Sequence, residues 1–257
     1  MSQQKFMRFE AKGQTLKGIV EGETVSLIEG CMLGEWKKTG ELLSLAAVEK
    51  YLPPIENPSK VLGIGLNYRD HAEEGGHPIP EEPIMFFISQ TALTGHKCPI
   101  IYPAVSKLVE YEVELAVVIG KTAKKVPIES ALDYVFGYTI SNDFSARDIQ
   151  RRDKQWSRGK SFDTFKPMGP WIVTGIKPEG HDIGVIHNGE KTQKSNTSNF
   201  IFDVPKIISV ISMTMALLPG DIILTGTPGG VRAIKPGDKI ESYIDGIGVL
   251  ENTVIAE

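Results

Sequence analysis

The sequence predicts a mixed α/β protein in which β-strands predominate. Its apolar stretches are mostly short and end at glycine, proline or asparagine, which is typical of strands joined by turns. Few segments show the apolar spacing of an amphipathic helix, and strands and helices do not alternate as they do in a parallel α/β sheet. With 257 residues, 41% of them hydrophobic, the chain can bury a core in one large domain or in a large and a small one.

The N-terminal part, residues 1–57, is expected to form a small domain that contains β-strands. Residues 7–30 alternate between apolar and polar side chains around a turn, which predicts antiparallel strands. The stretch TGELLSLAAVEKYL, residues 39–52, is interpreted as a short amphipathic helix. Three prolines in residues 53–59 resemble a linker, so we place the second, larger domain at residues 58–257.

The larger domain is expected to be built mainly from short strands. The stretches KVLGIGLNY and YEVELAVVIG are apolar enough to be buried strands. The stretch IESALDYVFGYTISND passes from a helical pattern into a further strand. Two Pro-Gly-Asp turns, at residues 219–221 and 236–238, each precede an apolar or alternating strand.

One longer helix is predicted at residues 203–217. Asp203 suits the N-cap position, and Pro205 suits the first turn, where a missing backbone N–H is tolerated. The segment is apolar on nearly all sides, so we expect it to be buried.

Charge and composition exclude several classes of partner. The formal net charge of −4 gives no support to nucleic-acid binding, which usually needs a basic surface. Residues 1–10 lack the apolar core of a signal peptide, and no run approaches the roughly 18 apolar residues of a membrane span. Cys31 and Cys98 have no metal-binding spacing. We therefore expect a reduced cytoplasmic protein with no nucleic-acid or membrane partner, the alternative for the cysteines being a single Cys31–Cys98 disulfide.

Three glutamates recur at alternate positions in the apolar run VEYEVELAVVIG, residues 109–120. Glu110, Glu112 and Glu114 would point to one side of a strand, since successive side chains alternate faces. A solvent-exposed edge strand is the common explanation of such a pattern. Here, however, the run contains no basic residue to pair with the carboxylates, and it continues with apolar residues on both faces, which indicates burial. Buried like charges need a compensating cation, and a hard divalent metal ion meets that need.

Asp143 is the candidate for a third carboxylate ligand. It stands in GYTISNDFSARDIQ, residues 137–150, where an apolar strand passes into a polar segment that begins a helix. The other interpretation is a helix N-cap, with Ser145 as a competing cap. In combination with the glutamates, the favoured interpretation is a metal site made of three carboxylates.

Five stretches of the chain resemble the fumarylacetoacetate hydrolase family and occur in the order found there. They are GLNYRDHAEE, YEVELAVVIGK, GYTISNDFSARDIQ, KSFDTFKPMGPWIVT and GDIILTGTPGGV. The resemblance implies a catalytic domain with a mixed β-sandwich or roll, a small N-terminal β-containing domain, and a homodimer. It also implies a divalent-metal enzyme that acts on 2-oxo acids and related enols by C–C hydrolysis, decarboxylation or isomerisation.

The resemblance also implies the metal ligands, which are Glu112, Glu114 and Asp143. Glu110 falls where relatives often carry an acidic residue behind the ligands. Mg²⁺ or Mn²⁺ is the expected ion, with Ca²⁺ as a further alternative, because all three prefer carboxylate oxygens. Such an ion would leave about three coordination positions for water or a 2-oxo acid, and it would stabilise an enolate.

His71 and Glu74 are expected to provide the catalytic base. They lie three residues apart in RDHAEE, a segment with helical character, so one face of a helix carries both. Glu74 could orient His71 and raise its basicity. The resemblance implies this role, whereas the pattern alone favours a polar surface helix.

Four further residues match family positions that contact the substrate. Arg147 and Gln150 would hold its polar ends, and Lys160 would place a point charge on a developing oxyanion, which makes it catalytic as well. Thr227 lies in the loop TGTPGG that borders the pocket of relatives. Without the resemblance, a solvated helix face and a surface lysine are the ordinary explanations. Ile88 departs from the family, because many relatives carry a lysine there, and this leaves the charge or size of the substrate open.

Three functions remain as hypotheses. The leading one is an Mg²⁺- or Mn²⁺-dependent lyase or hydrolase that cleaves a C–C bond in a 2-oxo acid, such as an acylpyruvate or oxaloacetate; His71 with Glu74 favours hydrolysis, since attacking water needs a base. The second is an isomerase or decarboxylase of unsaturated 2-hydroxy or 2-oxo dioates in aromatic catabolism. The third is a metal- or ligand-binding protein without turnover, against which the complete ligand set argues.

Overall fold

The computed structural model describes residues 2–76 and 78–257, and β-strands dominate it. The strands are β1 Lys5–Ala11, β2 Gln14–Glu21, β3 Thr24–Gly30, β4 Trp36–Ser44, β5 Lys50–Tyr51, β6 Val61–Gly65, β7 Ile84–Ile88, β8 Leu93–Gly95, β9 Ile100–Tyr102, β10 Val109–Glu110, β11 Val113–Ile119, β12 Val135–Asn142, β13 Ser145–Ala146, β14 Lys166–Val173, β15 Asp182–His187, β16 Glu190–Asn196, β17 Ile222–Leu224, β18 Lys239–Ile244 and β19 Gly248–Ala256. The α-helices are α1 Arg69–Gly75, α2 Arg147–Asp153, α3 Trp156–Gly159 and α4 Val204–Thr214. Short 3₁₀ helices lie at Leu45–Ala47, Gln90–Ala92, Ile128–Tyr134 and Thr197–Asn199.

Most strands belong to one large mixed sheet. Its order from edge to edge is β4-β3-β2-β1-β14-β12-β11-β17-β6-β7, with β5 paired to β1 and β8 paired to β14. A second sheet has the order β16-β15-β18-β19-β9, and side chains of both sheets share one apolar core. The prediction of a β-rich mixed α/β fold is confirmed.

Strand β11 lies in the middle of the large sheet, between β12 and β17, and all seven of its residues are buried. Val113, Leu115 and Val117 face the core shared with the second sheet. Ala116 and Val118 face a separate apolar cluster on the other side. Burial on both faces was predicted from the apolar run and is confirmed.

The predicted helix after residue 203 is present as α4. The Asp203 side chain accepts a hydrogen bond from the backbone N–H of Lys206 at 2.8 Å, so the N-cap prediction is confirmed. Ile207, Ile208 and Ile211 are buried, but Met213 near the end of the helix is exposed. The helix is therefore buried on one face rather than on all sides.

Residues 39–52 do not form the predicted amphipathic helix, and that prediction is wrong. Strand β4 extends into this stretch, a 3₁₀ helix covers Leu45–Ala47, and β5 follows. Leu43 lies opposite Val25 of β3 and is buried, whereas its neighbour Leu42 is exposed. The stretch is extended rather than helical because pairing with β3 outweighs the helical propensity of the leucines and alanines.

The N-terminal strands have an apolar cluster of their own, which includes Met7, Phe9 and Leu43. They also continue the large sheet, because Lys5 and Phe6 of β1 pair with β14. A division of the chain near residue 57 stays a prediction.

Two further observations bear on the class of protein. Among residues 2–76 and 78–257, none of the helices combines the length and the apolar character needed to cross a bilayer. Cys31 and Cys98 are free thiols, as the reduced interpretation requires.

Candidate metal centre

The run that carries the glutamates forms two strands rather than the single strand that was predicted. Glu110 in β10 pairs with Ser145 of β13. The backbone N–H of Glu112 then donates to Asn142 Oδ1 at 2.8 Å, before β11 begins at Val113. The sheet partner changes at this point, which is why the strand is interrupted.

Glu112, Glu114 and Asp143 nevertheless lie together. They are 4%, 3% and 0% exposed, and each offers an oxygen within 4.8 Å of the others. The pairing of β11 with β12 produces this arrangement, because Val113 lies opposite Asn142 and Asp143 follows directly. The backbone N–H of Asp143 also donates to the carbonyl of Glu112 at 2.7 Å. We call these three carboxylates the acidic triad.

Lys160 contacts two carboxylates of the acidic triad, those of Glu112 and Asp143. Its Nζ donates to Glu112 Oε2 at 2.5 Å, to Asp143 Oδ2 at 2.6 Å and to Ser145 Oγ at 2.9 Å. Burial acts to lower the pKa of Lys160, but Asp143 and Glu112 outweigh it and raise that pKa above its ordinary value. The ammonium is therefore a fixed positive charge among the carboxylates.

Arg147 forms ion pairs with two of the glutamates, Glu110 and Glu112. Its Nε donates to Glu110 at 2.6 Å, its Nη2 to Glu112, and its Nη1 to Gln150 at 2.9 Å. Glu110 is thus engaged with Arg147 and does not join the acidic triad. The predicted substrate contacts Arg147 and Gln150 both border the cavity, but in this structure they are bound to protein groups.

Lys166 is a second buried lysine at the triad, and the sequence did not point to it. Its Nζ lies 2.7 Å from Asp143 Oδ1, outside hydrogen-bonding direction, and donates to the carbonyls of Phe144 and Phe165. Burial lowers the pKa of Lys166 to about 8. The sequence feature that could have identified Lys166 is its position at the start of a buried strand, β14.

The pKa shifts of Glu112 and Glu114 show where negative charge is incompletely compensated. Burial acts to raise the pKa of Glu112, but Arg147 and Lys160 outweigh it and hold the pKa below its ordinary value. Burial raises the pKa of Glu114 well above its ordinary value, and the neighbouring Asp143 raises it further. Glu114 accepts a hydrogen bond from the backbone N–H of Gly226 at 2.6 Å, which lowers the pKa only in part.

The residues fit a hard divalent cation. The donor set consists of carboxylate oxygens, which Mg²⁺, Mn²⁺ and Ca²⁺ prefer. Asp143 Oδ1 is buried and accepts no hydrogen bond from the described residues, although Nζ of Lys166 lies 2.7 Å away. A cation would supply the directed contact that this oxygen lacks and would keep Glu114 ionised, so both observations point to an ion at the triad.

His71 and Glu74 both lie on α1, as predicted, but they form no hydrogen bond with each other in the described structure. The imidazole of His71 borders the cavity, its Nδ1 is buried without a partner, and burial lowers its pKa. Glu74 Oε2 instead accepts a hydrogen bond from the backbone N–H of Gly230 at 2.8 Å. The expected His–Glu pairing is therefore not made in this conformation.

The acidic triad opens into a cavity of about 300 Å³. Eight of the nine predicted site residues border it, and Glu74 is the exception. The eight are His71, Glu112, Glu114, Asp143, Arg147, Gln150, Lys160 and Thr227. Thr227 is held by Gln193, whose Nε2 donates to its hydroxyl at 3.0 Å. Gln193 is fully buried, and its strand KTQKSN gave no sign of that role.

An aromatic wall closes one side of the cavity. Phe86 and Trp156 meet edge to face, with ring centroids 5.4 Å apart. A Cβ on Gly63 would lie 2.2 Å from the Phe86 ring, and one on Gly65 would lie 2.1 Å from the Trp156 ring. The two glycines therefore make room for the rings. The sequence did not indicate this wall, because it depends on contacts between distant segments.

Ile88, the departure from the family pattern, is not among the residues that border the cavity. It is buried in an apolar cluster against which Phe86 of the wall also packs, and it pairs with Val61. Lys160 and Arg147 supply the positive charges at the cavity instead.

Comparison with known proteins now identifies the family. A model described as the fumarylacetoacetate (FAA) hydrolase C-terminal domain matches residues 60–255, and a model described as Rv2993c-like, N-terminal, matches residues 4–54. The chain belongs to the fumarylacetoacetate hydrolase family. The resemblance stated from the motifs is confirmed, and so is the family's fold.

Several relatives of this family member carry functional names. The mitochondrial oxaloacetate tautomerase FAHD2A of Bos taurus is 43% identical over 217 residues, which cover 80% of this chain and 69% of that protein. The 2-hydroxyhepta-2,4-diene-1,7-dioate isomerase structure from Mycobacterium marinum is 40% identical with a TM-score of 0.91, and the alignment covers 99% of each chain. The fumarylacetoacetate hydrolase structure from Exiguobacterium antarcticum is 33% identical with a TM-score of 0.87, over 99% of this chain and 100% of that one. The relatives are thus named as a tautomerase, an isomerase and a hydrolase.

Proposed function

We propose that this protein is a divalent-metal-dependent enzyme that enolises short 2-oxo acids, that is, a keto–enol tautomerase or isomerase. The observation that carries the proposal is the acidic triad of Glu112, Glu114 and Asp143 at the base of a cavity that His71 also borders. Mg²⁺ or Mn²⁺ bound to the triad would act as a Lewis acid toward a chelating 2-oxo acid and stabilise its enolate.

His71 is the proposed base for the proton on the carbon next to the keto group. It is the histidine among the residues that border the cavity, and its lowered pKa keeps the imidazole neutral at neutral pH. Its Nδ1 has no hydrogen-bond partner in the described structure, so no protein group holds the ring in one tautomer. A base that takes a proton from one position and returns it to another needs no further partner.

The two positively charged side chains at the cavity, Lys160 and Arg147, are proposed to stabilise or orient charged groups rather than to transfer protons. Lys160 can interact with the developing oxyanion, because its ammonium already lies between carboxylates at the edge of the cavity. Arg147 holds Glu112 and Gln150 in place and leaves Gln150 and Thr227 to contact the polar end of the substrate.

The shape of the cavity supports a small substrate. A volume of about 300 Å³ suits an acid of a few carbon atoms. Phe86 and Trp156 would lie against its carbon chain and limit the entry of water.

Cleavage of a C–C bond in an acylpyruvate or in oxaloacetate is the second candidate. The observation that favours it is the position of Glu74 on the same short helix as His71. If Glu74 left Gly230 for His71, the pair could activate water, as the hydrolase hypothesis requires. Enolisation is preferred because the pair is not formed here and the relatives of at least 40% identity reported above are named as a tautomerase and an isomerase.

Proton NMR in D₂O tests the proposal. Purified enzyme would be incubated with a panel of short 2-oxo acids, including oxaloacetate and an acylpyruvate, with Mg²⁺ or Mn²⁺ and, as the control, with excess EDTA. The expected result is faster metal-dependent exchange of the hydrogens next to the keto group, and loss of the acceleration in His71→Ala. New carboxylic acid products would select the second candidate. Absence of both exchange and cleavage across the panel would contradict the proposal.

We also propose that the protein works as a homodimer, in line with its family resemblance. Apolar side chains are exposed around α4, among them Leu132, Met213 and Leu218, and their burial against a second copy would be favourable. Light scattering should give twice the chain mass of 28.2 kDa at micromolar concentration. A mass of one chain would refute the dimer.

A further inference from the structure

Lys166 is a charged side chain with no contact to the cavity and no part in the proposed reaction. It is fully buried at the start of β14. Its Nζ lies 2.7 Å from Asp143 Oδ1 and donates to the carbonyl of Phe144 at 2.9 Å and to that of Phe165 at 3.2 Å. Three oxygens therefore surround one nitrogen.

The ammonium form fits these surroundings. Its hydrogens meet the carbonyls of Phe144 and Phe165, and the carboxylate of Asp143 lies 2.7 Å away as a counter-charge. Burying such a charge is costly unless a counter-charge is close, and Asp143 is the carboxylate within ion-pair distance. The pair is therefore a fixed feature of the triad.

Lys166 differs from Lys160 in what it can do. Lys160 borders the cavity and can move toward a ligand there. Lys166 does not border the cavity and is enclosed by the protein beside Asp143. Its charge therefore acts on the triad from within the protein rather than from the cavity.

We propose that Lys166 is a positioning residue that weakens and tunes the hold of the acidic triad on its divalent cation. Its positive charge offsets part of the charge of Asp143, and charges within a few ångströms interact strongly in a protein interior. A cation at the triad is consequently bound less tightly than three unscreened carboxylates would bind it. This inference rests on the proposed metal site and adds the residue that sets its affinity.

Titration calorimetry with Mg²⁺ and with Mn²⁺ tests this role without any measurement of turnover. Lys166→Met removes the charge and keeps an apolar chain of similar length. The dissociation constant of each ion should fall at least tenfold in this variant, and added Mg²⁺ should raise its melting temperature more than that of the wild type. Lys166→Arg keeps the charge and should stay within about threefold of the wild-type dissociation constant.

Lys60→Met is the matched control. Lys60 is partly exposed and forms an ion pair with the buried Asp221 at 2.5 Å, away from the triad. Its loss should lower the melting temperature and leave metal affinity unchanged. Should Lys166→Met fail to fold, Lys166→Gln provides a neutral variant that can still donate to the carbonyls.

The outcomes distinguish a failure of the proposed role of Lys166 from a failure of the proposed metal site. Unchanged or weaker metal binding in Lys166→Met, with a wild type that binds one ion per chain, overturns the inference and leaves the proposed function intact. A wild type that binds no divalent cation overturns both.

Discussion

Glu74 Oε2 accepts a hydrogen bond from the backbone N–H of Gly230 at 2.8 Å, although these residues are 156 positions apart in the chain. The carboxylate therefore connects α1 to the TGTPGG loop, residues 225–230, instead of orienting His71. This contact changes what the two residues of the predicted pair are expected to do when each is substituted.

His71→Ala should lower kcat/KM for enolisation at least about 100-fold, because it removes the proposed base. Glu74→Gln should lower it less than about tenfold, because a glutamine carbonyl can still accept the hydrogen bond from Gly230. Steady-state kinetics of both variants with the same 2-oxo acid make the comparison. Equal losses would show that the carboxylate charge acts with His71, and would favour the hydrolytic candidate.

The pH profile of the wild type should follow His71. Burial lowers its pKa, so the neutral imidazole persists below the ordinary histidine value of about 6.5. Activity should therefore be retained as the pH falls to 6.5 and be lost only as it falls further, through the lowered pKa. The residual activity of His71→Ala should lack this acidic limb. A limb centred at or above 6.5 would contradict the assignment.

Gly65→Ala tests the aromatic wall. A Cβ at this position would lie 2.1 Å from the ring of Trp156, so the indole must move and the cavity must change shape. We expect KM for the best substrate to rise at least about tenfold, because the carbon chain loses its contact surface. Gly34→Ala is the control, since the nearest side-chain atom there would be Cys31 Cβ at 3.7 Å. Unaltered KM in Gly65→Ala would exclude the wall from substrate binding.

Asp203→Ala tests the origin of α4 independently of the site. The side chain caps the helix through the backbone N–H of Lys206, and its loss should lower the free energy of unfolding by about 1 kcal/mol. Lys206→Ala keeps that N–H and should change the free energy by less than about 0.5 kcal/mol. Urea denaturation measures both, and kcat should be unaffected. A cost no greater for Asp203 than for Lys206 would contradict the capping role.

The parts of the fold that could be predicted are those set by neighbouring residues. The cap at Asp203 and the burial of β11 follow from local sequence alone. Residues 39–52 were predicted wrongly because pairing with β3, rather than local propensity, decides their structure.

The same distinction applies to the candidate site. The need for a cation near the glutamates could be anticipated from an apolar run without basic residues, and the family resemblance selected Glu112, Glu114 and Asp143. The roles of Lys166 and Gln193 could not, since each depends on a partner brought close only by the folded sheets. A sequence pattern can indicate that a buried charge needs a partner, but it does not identify the residue that provides it.

Dependence on a divalent cation at the acidic triad is the central claim, and turnover of chelator-stripped enzyme during stepwise addition of Mg²⁺ tests it most directly. The account predicts negligible turnover without metal, saturable recovery as Mg²⁺ is added, and at least a tenfold higher metal requirement in Glu114→Gln, which removes one charged ligand. Full activity in excess EDTA, or a wild-type rate and metal requirement in the double variant Glu112→Gln with Glu114→Gln, would contradict it.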